Sequence, residues 1–187
     1  MRFTSALIAA ALAHIATASV LPAVIGARAP DPEACIQAEK YIGIHDTTFS
    51  YSPACASVTF SCLKENGTSI WSHSACVAAA TCQGTESVIL LNQCQNPNVL
   101  AASSIPNLAA AIYGNIVGPC ASTGCPITQQ NYIDFIYSSM SAANVTEWPS
   151  SVNDVISQWW NPITAWAATG DSIPYSNFND WLHWSNS

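Results

Sequence analysis

The chain has 187 residues, half of them apolar, and only 8% are charged: 4 Lys+Arg against 11 Asp+Glu, a formal net charge of -7. So few cations cannot neutralise a phosphate backbone, which excludes nucleic-acid binding through a basic surface. The apolar and aromatic content excludes a wholly disordered chain, and 11 prolines with scarce Lys, Glu and Arg exclude a coiled coil.

Met1-Arg2-Phe3 leads into an apolar run from Ala6 to Ala13, followed by Ala16-Thr17-Ala18. A basic start, a short apolar core and a small-x-small site predict a secretory signal peptide over 1–18, cleaved after Ala18. His14 and Pro22 interrupt the apolar stretch, which is shorter than the ~20 residues a spanning helix needs. Residues 19–30, SVLPAVIGARAP, read as a pro-segment or flexible tail, with Arg28 as a possible second cut. No other segment is long and apolar enough to span a bilayer, and the C-terminal Trp184-Ser185-Asn186-Ser187 lacks a lipid-anchor tail. The expected product is secreted and extracellular.

The remainder, 31–187, is expected to be one domain with a Cys-rich part (31–126) and a Trp-rich helical part (127–187). Asp31-Pro32-Glu33 combines an N-cap, a first-turn proline and an acid at the positive helix end, predicting a helix to about Ile42 that stops at Gly43. In 57–62, Val58, Phe60 and Cys62 alternate with Ser57, Thr59 and Ser61. Asn66-Gly67 follows, and Ile70-Trp71 returns, a pattern that predicts a β-hairpin over 57–71. Ser72–Gln83 reads as helix closed by Gly84, and Val88–Leu91 fits strand or helix. A short helix is expected after Pro97 and another over Asn107–Val117. Thr128 caps one through about Met140, and Ser151 caps one through Trp160. Asn161-Pro162 starts a fresh helix ending at Gly170, and Ser176 caps the last. The fold class is therefore α+β, mainly α: a disulfide-stapled helical domain with one small β-hairpin. Ser52-Pro53-Ala54-Cys55 and His73-Ser74-Ala75-Cys76 echo each other, but a strand reading of the first copy makes the echo a coincidence.

Cys35, Cys55, Cys62, Cys76, Cys82, Cys94, Cys120 and Cys125 are even in number, so an oxidising compartment implies four disulfides. Spacing alone does not choose the pairing. Cys76 and Cys82, six apart on one helix, point to different partners; Cys120 and Cys125 can pair locally or staple two elements. No C-x2-C pair suggests zinc, and no metal or cofactor is expected. Asn66-Gly67-Thr68 and Asn144-Val145-Thr146 are glycosylation sequons.

No G-x-S-x-G, H-E-x-x-H, P-loop or G-x-G-x-x-G motif occurs. His45-Asp46 are sequence neighbours that point differently, which suits a loop better than a dyad. Asp180 and His183 share a helix face, so the carboxylate could orient the imidazole as a general base; an ordinary surface pair beside core tryptophans is the simpler reading. Asp134, Glu147, Asp154, Asp171 and Asp180 include no pair at a spacing that marks a glycosidase. Six of the seven tryptophans fall between 148 and 184. Trp159, Ile163 and Trp166 form one stripe if the helix passes Pro162 with little kink, and Trp160 points elsewhere. Most indoles should pack the core. Trp148, beside a sequon and Pro149, and Trp184, near the end, are the best exposed candidates for binding.

The short leader, the LPAVIGARAP segment, dispersed cysteines, two sequons and small size together resemble the fungal small secreted cysteine-rich proteins. The resemblance is to a class and carries no residue roles; it implies interaction outside the cell. The expected function is non-enzymatic, binding a cell-wall glycan or an extracellular protein of a host or neighbouring cell, as a monomer. The alternatives are a small extracellular hydrolase using carboxylate or His–carboxylate chemistry, and a purely structural matrix component.

Overall fold

The computed structural model describes residues 29–44 and 50–185. The expected signal peptide, nearly all of the 19–30 segment and His45-Asp46 lie outside the described residues. Among the described residues no helix is long and apolar enough to cross a membrane.

Helix α1 (Pro32–Lys40) starts as the sequence dictates: the Asp31 side chain accepts a hydrogen bond from the Glu33 N–H, and Pro32 occupies the first turn. No residue of α1 is buried. Its one covalent tie is Cys35–Cys94, to the end of α4 (Thr85–Gln95). Replacing both cysteines by alanine should therefore release α1 while the core stays folded. Hydrogen exchange would show α1 amides losing protection and those of the central helix Ser74–Gln83 keeping theirs; global unfolding would contradict this.

The hairpin expected at 57–71 is absent; α2 (Pro53–Lys64) occupies it. Ser52 caps this helix, its Oγ accepting from the Cys55 N–H at 3.3 Å, and Pro53 sits in the first turn. Buried positions Ala54, Cys55, Val58, Thr59, Cys62 and Leu63 repeat with helical period. The alternation in SVTFSC was consistent with both periods, and Phe60, which a strand would have buried, faces solvent. Asn66 does have positive φ, as the residue just past the helix end. Ile70-Trp71 form a buried 3-10 turn.

Helix α3 (Ser74–Gln83) is the centre of the molecule: every residue from Ala75 to Gln83 is buried. An Ala-rich helix that is apolar all round can accept neighbours on every side, and α2, α4 and the later helix Gln129–Ala142 all pack on it. Two disulfides, Cys55–Cys82 and Cys62–Cys76, staple α2 to α3 as an antiparallel pair. The echoed Pro53-Ala54-Cys55 and Ser74-Ala75-Cys76 are the first turns of these two helices. Each first-turn cysteine bonds to the partner helix's last turns. The strand reading had hidden this equivalence.

Val88–Leu91 is helical, inside α4, and Gly84 breaks the chain between α3 and α4 with φ +94. After Pro97 no α-helix forms; a 3-10 turn covers Ala102–Ser104. Helix α5 is Ala110–Val117, and Cys120–Cys125 closes a local loop after it. Helix α6 (Gln129–Ala142) has a full capping box between Thr128 and Asn131.

Pro162 does not start a fresh helix. The chain is helical through 152–167: Val152–Asp154, a π-helical stretch Val155–Trp160, then Asn161–Ala167. Proline cannot donate to the carbonyl four residues back. The wider register removes that demand, and the Asn161 N–H donates five residues back to the Ile156 oxygen. Trp159 and Trp160 are both buried, while Trp166 is exposed. The helix ends at Ala167, earlier than expected. The C-terminal helix is Tyr175–Trp184 with Pro174 at its N-cap, so Ser176 lies inside the first turn rather than capping it.

The described sheet is two-stranded and antiparallel, β1 (Ile127–Thr128) with β2 (Ser172–Ile173), pairing Ile127 with Ile173. It joins the approaches to α6 and to the C-terminal helix. One apolar cluster runs from Ala54 to Leu182, through both the Cys-rich and the Trp-rich parts. Trp71, Trp181, Tyr132, Phe135 and Phe178 are its largest fully buried side chains.

Burial pushes the Tyr132 hydroxyl far above the ordinary phenol range, and Tyr113 and Tyr175 are raised for the same reason. For the fully buried Tyr132, a raised native value means stability is intact below the unfolded phenol pKa of about 10 and falls above it, at up to ~1.4 kcal/mol per pH unit. Tyr132→Phe should flatten the alkaline loss of stability, measured as urea midpoints between neutral pH and pH ~11. An unchanged slope would contradict this.

Candidate functional site

A cleft in the described surface brings two exposed aromatic rings together with polar side chains. It lies between the start of α2, the irregular segment before the π-containing helix, and that helix itself. Its volume is about 250 Å³, and Tyr51, Trp148, Asp154, Gln158 and Trp159 line it, with serines at 50, 52 and 150.

Tyr51 is placed by a chain of buried polar contacts that begins in α3. Gln83, at the end of that helix, accepts from the Gly43 N–H at 2.6 Å and donates to the Tyr41 oxygen at 3.2 Å. The Gly43 oxygen in turn accepts from the Ser52 N–H at 2.7 Å, and Ile44 bridges Tyr51. Gly43 has φ +84, and a Cβ there would stand 2.9 Å from the Tyr51 ring and 2.9 Å from Ala56 Cβ. Only glycine lets the ring lie this close to the backbone. Tyr51 remains 61% exposed.

Trp148 is placed from the other side. Its ring stacks on Tyr137 of α6, centroids 6.0 Å apart and planes 11° from parallel, which leaves the indole 43% exposed. The capping serine, Ser151, then starts the helix that carries Asp154 and Gln158, with its Oγ accepting from the Asp154 N–H at 3.2 Å. Gln158 lies inside the π-helical stretch, a geometry that recurs at functional sites.

Asp154 is half-buried, and among the described residues no side chain donates to its carboxylate. Lys40 and Lys64 are the cations of the described residues, and neither lines the cleft. The site therefore disfavours anions and offers ring faces, an amide, hydroxyls and one carboxylate.

The other sequence candidates fall elsewhere. Trp184 is exposed, as expected, at 58%, beside Glu86 in a separate depression of about 320 Å³ that holds no second exposed ring. Trp166, which the sequence did not single out, is 43% exposed. Asp180 and His183 are not brought together. His183 is buried, with Nδ1 2.6 Å from the Asn179 oxygen and Nε2 3.1 Å from the Ile105 oxygen, while Asp180 is exposed. An imidazole with both nitrogens against backbone carbonyls ties the C-terminal helix to the 105 loop and has no free nitrogen for a substrate. Asp134 is exposed and accepts from Gln130 at 2.8 Å, and Glu147 and Asp171 are exposed, so of the acid set only Asp154 lines this cleft. Both sequon asparagines, Asn66 and Asn144, are exposed. All eight cysteines are paired. Among the described residues no group of three His, Cys, Asp or Glu side chains is placed to hold a metal ion.

Sequence reasoning missed Tyr51 and Gln158. Tyr51 sits in a loop where nothing periodic marks it; the glycine eight residues earlier was read only as a helix stop. Gln158 has no distinguishing neighbour in sequence.

What this fold and cleft define is a mainly helical, disulfide-rich domain, of the kind stable in an oxidising compartment. Comparison with protein-family profiles, curated proteins and solved structures finds no match, so the reading of the cleft rests on its own residues.

Proposed function

We propose that this is a secreted, non-enzymatic protein that binds an uncharged cell-wall glycan in the Tyr51–Trp148 cleft. The observation that carries the reading is that two exposed rings line one cleft whose polar lining, among the described residues, is serine, glutamine and a single carboxylate. A pyranose presents C–H patches on its faces and hydroxyls at its edge. The faces match indole and phenol rings, and the hydroxyls match the Gln158 amide, the Asp154 carboxylate and the serines. The missing cation argues against acidic polysaccharides.

Export is supported by the Met1–Ala18 leader pattern and by four disulfides, which persist outside the reducing cytosol. The class-level likeness to fungal small secreted proteins fits the same picture. A glycosidase reading would need a second carboxylate ~5–9 Å from the first, and among the described residues only Asp154 brings one to the cleft.

The test is titration of the purified protein with soluble β-glucan, chito-oligosaccharide and mannan fragments, read by tryptophan fluorescence and calorimetry. Saturable binding to one of them is the expected result. Silence against all of them would remove the glycan reading.

A further inference from the structure

A second groove on the described surface, about 620 Å³, lies between the outer face of α2 and the turn after α6. We propose that it seats the protein's own N-linked glycan, attached at Asn144, with the first sugars packed on Phe60. The proposal rests on the secreted reading above.

Phe60 is 51% exposed on α2, and beside it the groove is lined by Ser57, Ser61, Lys64 and Gln95, with the largely buried Leu63 at its floor. One exposed aromatic ring with four hydrogen-bonding side chains beside it matches a sugar better than it matches an apolar partner. The opposite rim is the sequon itself, 144–146.

Asn144 is held rigidly there. It occupies the left-handed position after α6 with φ +52. Its N–H donates to the Ser141 oxygen at 3.1 Å, and the Val145 N–H donates to the Met140 oxygen at 3.2 Å, a complete Schellman closure. Val145 is buried, so the turn is pinned while Asn144 and Thr146 stay exposed. Glycine would serve the backbone at lower cost; asparagine adds an amide at the rim of the groove. That amide spends only one weak contact on the chain, Nδ2 to the Ala142 oxygen at 3.4 Å.

In the attachment step Nδ2 loses one proton and bonds to the anomeric carbon of a lipid-diphosphate-linked oligosaccharide. The carbon–oxygen bond to the diphosphate breaks, and the exporting cell's transferase catalyses the exchange. The remaining Nδ2 hydrogen can still meet the Ala142 oxygen. Asn66 carries the other sequon but does not line this groove, which makes it an internal control.

The experiment uses the full chain secreted from a glycosylating host. Glycopeptide mass spectrometry reads occupancy at both sites. Binding of a hydrophobic dye then compares wild type with Thr146→Ala, Thr68→Ala and the double variant Phe60→Ser/Thr146→Ala. Expected are a sugar on Asn144, a dye signal raised about twofold or more by Thr146→Ala, no rise for Thr68→Ala, and loss of the rise in the double variant. Contacts between N-acetylglucosamine and Phe60 ring protons should appear by NMR. A glycan on Asn144 with unchanged dye binding overturns the proposal, as does an Asn144 left bare while Asn66 is occupied. A glycosylated dimer that Phe60→Ser converts to monomer also overturns it, because a second copy would then be the occupant. A protein retained in the cell with neither site modified overturns the export reading and this proposal with it.

Discussion

Removing both α2–α3 staples, by alanine at Cys55, Cys62, Cys76 and Cys82, should cost ~6 kcal/mol and leave the protein largely unfolded at room temperature. The two loops are nested, with sequence separations of 27 and 14. Either bridge alone therefore subdivides what the other has closed, and removing one should cost about 3 kcal/mol. All four sulfurs sit in the core, so alanine also leaves small cavities that push the loss upward. A typical domain has only ~5–15 kcal/mol to lose. Urea unfolding of the two double variants and the quadruple variant measures each step. A quadruple variant within about 1 kcal/mol of wild type would show that helix packing alone holds the fold.

Trp148→Ala should weaken glycan binding at least tenfold, ~1.4 kcal/mol or more, and Tyr51→Ala should act in the same direction. Trp166→Ala and Trp184→Ala should leave affinity unchanged, although these indoles are as exposed as Trp148 or more so. What distinguishes Trp148 is its place in a cleft with a second ring, a carboxylate and an amide; exposure by itself does not. All of these side chains are at the surface, so the folds should be preserved, which far-UV circular dichroism checks. Equal losses for Trp148→Ala and Trp184→Ala, or none for Trp148→Ala, would move the binding surface away from this cleft.

Helix starts were the most legible feature of the chain. Asp31-Pro32 and Thr128 with Asn131 begin helices as their cap chemistry predicts, because a cap is satisfied by the next three residues. Ser52-Pro53 carried the same signal, but the alternating SVTFSC run that follows suggested a strand. Six residues in which apolar and polar types alternate also place Val58 and Cys62 four apart, so the two periods compete and the buried neighbour decides. Pro162 misled in the opposite direction: a proline breaks an α-helix, yet a local π register lets the chain continue.

The candidate site was half legible. Trp148 stood out because Pro149 and a sequon flank it, and the chain does expose it. Tyr51, Asp154 and Gln158 join it only through Gln83, Gly43 and the π turn, contacts between segments far apart in sequence. Asp180 and His183 do share a helix, but backbone carbonyls from Asn179 and Ile105 take both imidazole nitrogens.

By itself the amino-acid order determined that the chain would be mainly helical, poor in charge and rich in paired thiols, since composition, caps and an even cysteine number are local or additive properties. Only the tertiary structure decided which thiols meet, which indoles stay in water and which ring faces line a cleft. Those outcomes depend on what packs against each surface, and a residue's sequence neighbours do not specify that.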